Sequence, residues 1–244
     1  MKPLLCSSLL LLAFSVNAQA PTPVPIPKEP HHHLVLENEY VRVFRVSVPA
    51  HEPTLLHQHD VPYVYVALGP ADVINAVQGK PEAHLVMADG QVGYSRGGFA
   101  HVARNESATP FNNVTVELLH PQGEPQNLCA QVLPGAASGT CQKISATDPK
   151  GYSIEPQVET AEVKLDLVRL DPKAMKSGKT PEAGVLIVML DKTELQIDTQ
   201  CDPPRTLTGG KVMWLNRGSY STLSNAHEKA SSYLQLIFKE AGKP

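Results

Sequence analysis

The chain has 244 residues, a formal charge of -3 and no basic block. That argues against nucleic acid as a partner and allows one large or two small domains with ample core. Aromatic residues make up only 5%, Val, Leu and Ile are frequent, and there are 22 prolines, a mix that favours short strands and turns over long helices.

Residues 1–20 read as a secretion signal. Lys2 gives the positive start, Leu4 to Val16 the apolar stretch, and Asn17-Ala18-Gln19-Ala20 the small-x-small pattern that places cleavage after Ala20 or Ala18. The apolar stretch is too short to span a bilayer as a stable helix. The expectation is a secreted or periplasmic protein with no membrane partner after cleavage. Residues 21–33 follow as a linker, with five prolines between Pro21 and Pro30, an extended and semi-rigid composition. His31-His32-His33 reads as a solvated lead-in, because consecutive strand residues alternate faces and cannot all converge.

From Leu34 the chain is a series of short strands. Two β-rich runs flank a turn at Glu37-Asn38-Glu39, and the apolar residues of Val41 to Val46 do not alternate cleanly. Leu55 to Leu68 reads as a strand pair kinked at Asp60-Val61-Pro62. Val73 to Val77 and Ala83 to Ala88 are further strands, and Ala88-Asp89-Gly90 reads as a hairpin turn. Gly97-Gly98 marks a tight backbone approach. Val114, Val116 and Leu118 alternate with Thr115 and Glu117, the pattern of a half-buried final strand. Such a series with no helix signal predicts a sandwich or barrel over residues 34–122.

Residues 123–158 are rich in Pro, Gly, Ser and Ala and read as a linker. In an exported chain its Cys129 and Cys141 are expected to form a disulfide; pairing of either with Cys201 is the alternative. Residues 159–240 then repeat the first half. With a shift of about 120, Gly210, Gly218 and Asn225 match Gly90, Gly98 and Asn105. Leu234, Leu236 and Phe238 fall on Val114, Val116 and Leu118, and Val185 to Val188 on Tyr65 to Leu68.

The chemistry is in the first copy. His57 and His59 lie two apart on a strand and face one way, and His101 can add a third imidazole from a neighbouring strand. Three neutral imidazoles suit a divalent metal with an open coordination position, without distinguishing Fe, Zn, Mn, Ni or Cu. Tyr63, Tyr65 and Tyr94 are candidates to fix the ring tautomers. By parity Tyr63 and Tyr65 share the cavity, with Tyr63 as a proton donor, unless Pro62 introduces a bulge that reverses the faces. In the second copy Ser221 stands at His101, and Ser177 and Lys179 fall on His57 and His59, so that copy lacks the ligands.

These motifs resemble the cupin superfamily. Gly90, Gly98, His101 and Asn105 keep every spacing of its second motif, with Arg96 in place of Pro. His57 and His59 supply the HxH of the first, where His51 replaces the leading Gly and the Glu position falls on Tyr63 or Val64. The resemblance implies an all-β chain of two tandem jelly-roll β-barrels, a bicupin, whose first barrel carries a three-histidine metal site. Cupins include dioxygenases, isomerases, decarboxylases, sugar binders and storage proteins. The resemblance therefore implies metal-dependent action on a small molecule, of dioxygenase, isomerase or lyase type. The alternatives are non-catalytic binding of a sugar or organic acid, or a structural protein assembling as a homo-oligomer through its sheet faces.

Overall fold

The computed structural model describes residues 21–127, 129–133, 148–181, 183–190, 194–200 and 202–240. Among them are strands, one short 3-10 turn at Ile26–Lys28 and no α-helix. The first barrel contains β1 (Val24–Pro25), β2 (His32–Glu37), β3 (Val41–Val48), β4 (His57–His59), β5 (Tyr63–Ala67), β6 (Ala71–Val77), β7 (Ala83–Met87), β8 (Val92–Ser95), β9 (Phe99–Asn105) and β10 (Phe111–Leu118). Two short strands follow, β11 (Gln126–Asn127) and β12 (Gln131–Leu133). The second barrel contains β13 (Tyr152–Glu159), β14 (Val163–Leu170), β15 (Met175–Lys179), β16 (Val185–Met189), β17 (Leu195–Thr199), β18 (Arg205–Leu207), β19 (Val212–Leu215), β20 (Tyr220–Ser224) and β21 (Ser231–Phe238).

Each barrel is two sheets closed over a core. The first joins the order β1-β4-β9-β6-β7 to β12-β8-β5-β10-β3-β2, and the second joins β11-β13-β14-β21-β16-β19 to β15-β20-β17-β18. Cα pairing is antiparallel except where β1 joins β4 and β12 joins β8. The described residues are therefore all-β and form two tandem barrels.

The six-stranded sheets pack back to back. Val43, Val64 and Val116 of the first barrel share one buried cluster with Leu165, Leu186 and Leu234 of the second. Tyr40 stacks on Trp214, with centroids 5.4 Å apart and planes 16° apart, and Arg45 Nη1 donates to the Gly209 carbonyl at 3.2 Å. This interface corrects the half-buried strand expected at Val114 to Leu118. Val114, Val116 and Leu118 enter the inter-barrel cluster, while Thr115 and Glu117, also buried, face the first barrel's interior. It also accounts for the irregular pattern of β3, in which Val41 and Val43 meet the second barrel while Phe44, Val46 and Val48 fill the first. A strand buried on both faces has no polar face to give alternation.

The proline-rich segment is a spacer over only part of its length. Val24 and Pro25 pair in parallel with His57 and Gln58, and Ile26 is buried in the first barrel's core. Residues 123–158 likewise contain structure: β11 extends the second barrel, β12 returns to the first, and β13 begins at Tyr152. The turn at Ala88-Asp89-Gly90 forms, with Gly90 at φ 73°, but it is no hairpin, because β7 and β8 belong to different sheets. Gly97 takes φ 67°, and an added Cβ would lie 2.1 Å from the Val61 carbonyl oxygen, so the tight approach requires glycine.

The hydrogen-bonded ladders fix how the copies correspond. His57 pairs with His101, and Gly178 with Ser221; the Gly98 N–H donates to the His59 carbonyl, as Gly218 does to Thr180. His32 lies opposite Val46, and Ile154 opposite Val168. The second-barrel counterparts of His32, His57, His59 and His101 are thus Ile154, Gly178, Thr180 and Ser221. The expected Ser177 and Lys179 are one residue out, and Val185 falls on Tyr63 rather than Tyr65, because the first copy is longer between β6 and β8 and shorter between β4 and β5 than the second copy is between the matching strands. Asn105 and Asn225 do the same work in both copies. Asn105 Nδ2 donates to the carbonyls of Val48, Pro49 and Thr109, and Asn225 Nδ2 to those of Leu170, Asp171 and Lys229.

Candidate metal centre

The first barrel's interior gathers four histidines. β4 presents His57 and His59 on one face, and β9 sets His101 directly opposite His57. The fourth is His32, which β2 carries in from the facing sheet. It is buried, and its ring centroid is 4.8 Å from His57 and 6.2 Å from His59. The His101 ring lies 4.4 Å from His57 and 5.2 Å from His59. Ring nitrogens of His32, His57 and His59 all lie within 4.8 Å of one another. The expected solvated lead-in at His31-His32-His33 is therefore corrected at its middle residue. Alternation forbids all three from converging but allows the central one to point inward.

Three of the rings have their tautomers set from behind. His57 Nδ1–H donates to the Leu55 carbonyl at 2.9 Å, His101 Nδ1–H to Asn75 Oδ1 at 2.6 Å, and His32 Nδ1–H to the Glu29 carboxylate at 2.5 Å. Each then keeps its lone pair on Nε2. The Nε2 atoms of His57 and His101 are buried and lack any hydrogen-bond partner, a costly arrangement unless something else takes up the lone pairs. His59 turns Nδ1 toward Glu117, 3.8 Å away. A divalent cation fits this donor set, since imidazole lone pairs held by outer hydrogen bonds are what such an ion binds.

The electrostatics agree. Burial, then the charge of His32, pushes the His57 pKa down to about 4, against the upward pull of the Leu55 carbonyl and Glu29. His59 and His101 are held well below their ordinary value, by burial first and then by the other rings. These three imidazoles are accordingly neutral at neutral pH. Burial pushes Glu29 up, but the His32 ring and the N–H groups of Leu55 and His31 hold it below the usual carboxylate range. Burial raises Glu117 to about 6, although Arg42 sits 2.9 Å away.

The tyrosines divide. Tyr63 and Tyr65 both line the cavity, so Pro62 does not reverse the faces. Tyr63 stacks on His59, with centroids 4.1 Å apart, and its hydroxyl bonds Ser95. Burial holds that phenol far above its ordinary pKa, so it fits a role as a wall behind His59 better than the proton donor expected from sequence. Tyr65 is pushed up to about 12 by burial and packs where Gly93 leaves room for its ring. Tyr94 points into the inter-barrel cluster and does not reach the histidines, because its parity on β8 is outward. The remaining walls are mostly apolar, including Val46, Val48, Val73, Met87 and Phe111, and among the described residues no Lys, Arg, Asp or Glu side chain lines the cavity. Sequence reasoning missed His32 and Glu29; the one available signal was an inward-facing residue on β2.

No family model matches the sequence, and no curated protein matches it. Solved structures do match in fold. The chain aligns with AerE from Microcystis aeruginosa at TM-score 0.59 and 10% identity, covering 87% of this chain and 99% of that one. A cupin 2 conserved barrel domain protein from Leptotrichia buccalis aligns at TM-score 0.56 and 10% identity, over 85% and 88% of the two chains. Bacillus subtilis oxalate decarboxylase aligns at TM-score 0.57 and 11% identity, over 84% of this chain and 70% of its own. The fold that the motifs resemble, a cupin barrel used twice, is the fold of this molecule.

Proposed function

We propose that the protein is an exported bicupin whose first barrel holds one divalent metal through His57, His59 and His101, with His32 as a fourth ligand, and acts on a small molecule. The observation that carries this is the pair of buried, unpartnered Nε2 atoms on His57 and His101, each lone pair fixed by the hydrogen bond its ring makes behind it. Structures of similar fold include oxalate decarboxylase and salicylate 1,2-dioxygenase from Pseudoaminobacter salicylatoxidans with gentisate. They favour dioxygenase or lyase chemistry on a small substrate over a purely structural role. A bound ion would supply Lewis acidity, or an oxygen-binding site if it is iron; four imidazoles do not select among Fe, Zn, Mn, Ni and Cu.

The chain's own residues prepare the site. Leu55, Asn75 and Glu29 orient three rings, and Tyr63 blocks His59 from moving sideways. The apolar walls keep bulk water away and leave an uncharged lining for the body of the substrate. Residues 1–20 and the Cys129–Cys141 pair, whose second cysteine lies outside the described residues, belong to the same exported reading. Mass spectrometry of the secreted chain tests both.

The deciding experiment is metal content of residues 21–244, produced with export and without a histidine tag. It is run beside a His57→Ala, His59→Ala, His101→Ala triple variant and a His32→Ala variant. The expected result is near one ion per wild-type chain, none in the triple variant and weakened retention in His32→Ala. A wild-type chain that takes up no metal even after reloading overturns the proposal.

A further inference from the structure

Where the first barrel holds four imidazoles, the second holds a hollow. Ile154, Gly178, Thr180 and Ser221 occupy the equivalent positions, and a Cβ added at Gly178 meets nothing within 4 Å. The strand that lost the HxH supplies a different group. Lys176, two residues before Gly178 and on the same inward face of β15, lines this cavity with Thr180, Ser221 and Gln235. Lys176 Nζ donates to Gln235 Oε1 at 3.3 Å, and Gln235 Nε2 donates to Asp166 Oδ2 at 3.1 Å.

The charges in this barrel do not cancel around Lys176. Asp166 is buried and already has Lys164 at 3.4 Å. Its other oxygen is buried without a partner, but Asp166 does not line the cavity, and Gln235 stands between. Two ammonium groups therefore face one carboxylate. An ammonium has three donors, and one of those on Lys176 is used by Gln235. Burial pushes the Lys176 amine down, partly offset by the charge of Asp166, so this cation is poorly solvated where it stands. Around it stand the apolar side chains of Ile187, Leu215 and Leu223, and exposed Lys179 lines the same cavity.

We propose that the second barrel binds a small monocarboxylate with a short aliphatic body. The carboxylate sits on Lys176 Nζ and the Ser221 hydroxyl, and the body lies against Ile187 and Leu223. A charge-assisted bond to a part-buried ammonium favours an acid over its neutral isostere.

The test uses residues 21–244 treated with a chelator, so that no metal in the first barrel can hold a carboxylate. Butyrate and its neutral isostere butyramide are titrated by calorimetry and by ligand-observed NMR. Butyrate is expected to bind at least about tenfold tighter than butyramide. Lys176→Met removes that preference, and Gly178→Leu, which fills the hollow and leaves Lys176 in place, removes binding of both. Thermal melts establish that both variants fold; Gly178 has ordinary φ and free space, so at least that one should. His101→Ala leaves butyrate binding unchanged. Equal affinity for acid and amide, no butyrate binding at all, retention of binding in folded Gly178→Leu, or loss confined to His101→Ala would each overturn the proposal.

Discussion

The two barrels have the same ladders and opposite interiors. In the first, β10 turns Asn113 and Thr115 into the cavity and sets Glu117 beside His59, and β4 and β9 add three histidines, so polar groups gather at the centre. In the second, the positions of Asn75, Tyr65 and Glu117 are Ile197, Ile187 and Ile237, and Ile187, Leu195, Ile197 and Tyr233 join one apolar cluster beside the hollow that Lys176 lines. The outer faces are alike in both and meet each other. Changes of chemistry are thus confined to residues of one parity, because a strand presents its two faces independently.

The comparison can be attacked at matched positions. The largest effect is expected at Ile197→Ala, which should destabilise the chain by about 2–5 kcal/mol in denaturant titration and leave metal content untouched. Asn75→Ala, its first-barrel counterpart, should do the reverse. Losing the acceptor on His101 Nδ1 is expected to weaken metal affinity about 10- to 100-fold, read by competition with a chelator, with little change in the metal-free melt. If Asn75→Ala proved as destabilising as Ile197→Ala and spared metal affinity, the contrast between a site and a core would fail. Asn105→Ala and Asn225→Ala should each cost about 1–3 kcal/mol, because each strands three carbonyls. A clear difference between them would mean that the shared brace bears unequal load. Smallest of all, Arg96→Ala at the motif's missing proline removes only an exposed pair with Glu124 and should change stability by about 0–1 kcal/mol.

Much of this was legible in the sequence, and what was not has a physical cause. The period-two spacing of His57 and His59 and the exact recurrence of Gly98 and Asn105 as Gly218 and Asn225 were enough to place both barrels and three of the four rings. The alternation on β10 reads as a solvent face because Thr115 and Glu117 are polar, whereas Thr115 lines an internal cavity and Glu117 is buried between Arg42 and His59. His32 was missed because a residue on β2 meets β4 only through closure of the barrel, and no local spacing encodes a contact between facing sheets. The one-residue error at Ser177 and Lys179 has the same origin. Register is set by pairing partners, so small insertions between motifs move every side chain to the other face.

The back-to-back sheets give a role to a barrel whose interior positions have no histidine. Val43, Val64, Val66, Val114 and Val116 form a broad apolar wall that only the second copy covers. Truncating the chain to its first barrel would bare that wall to water, so the second barrel serves as a cover whatever its own interior binds.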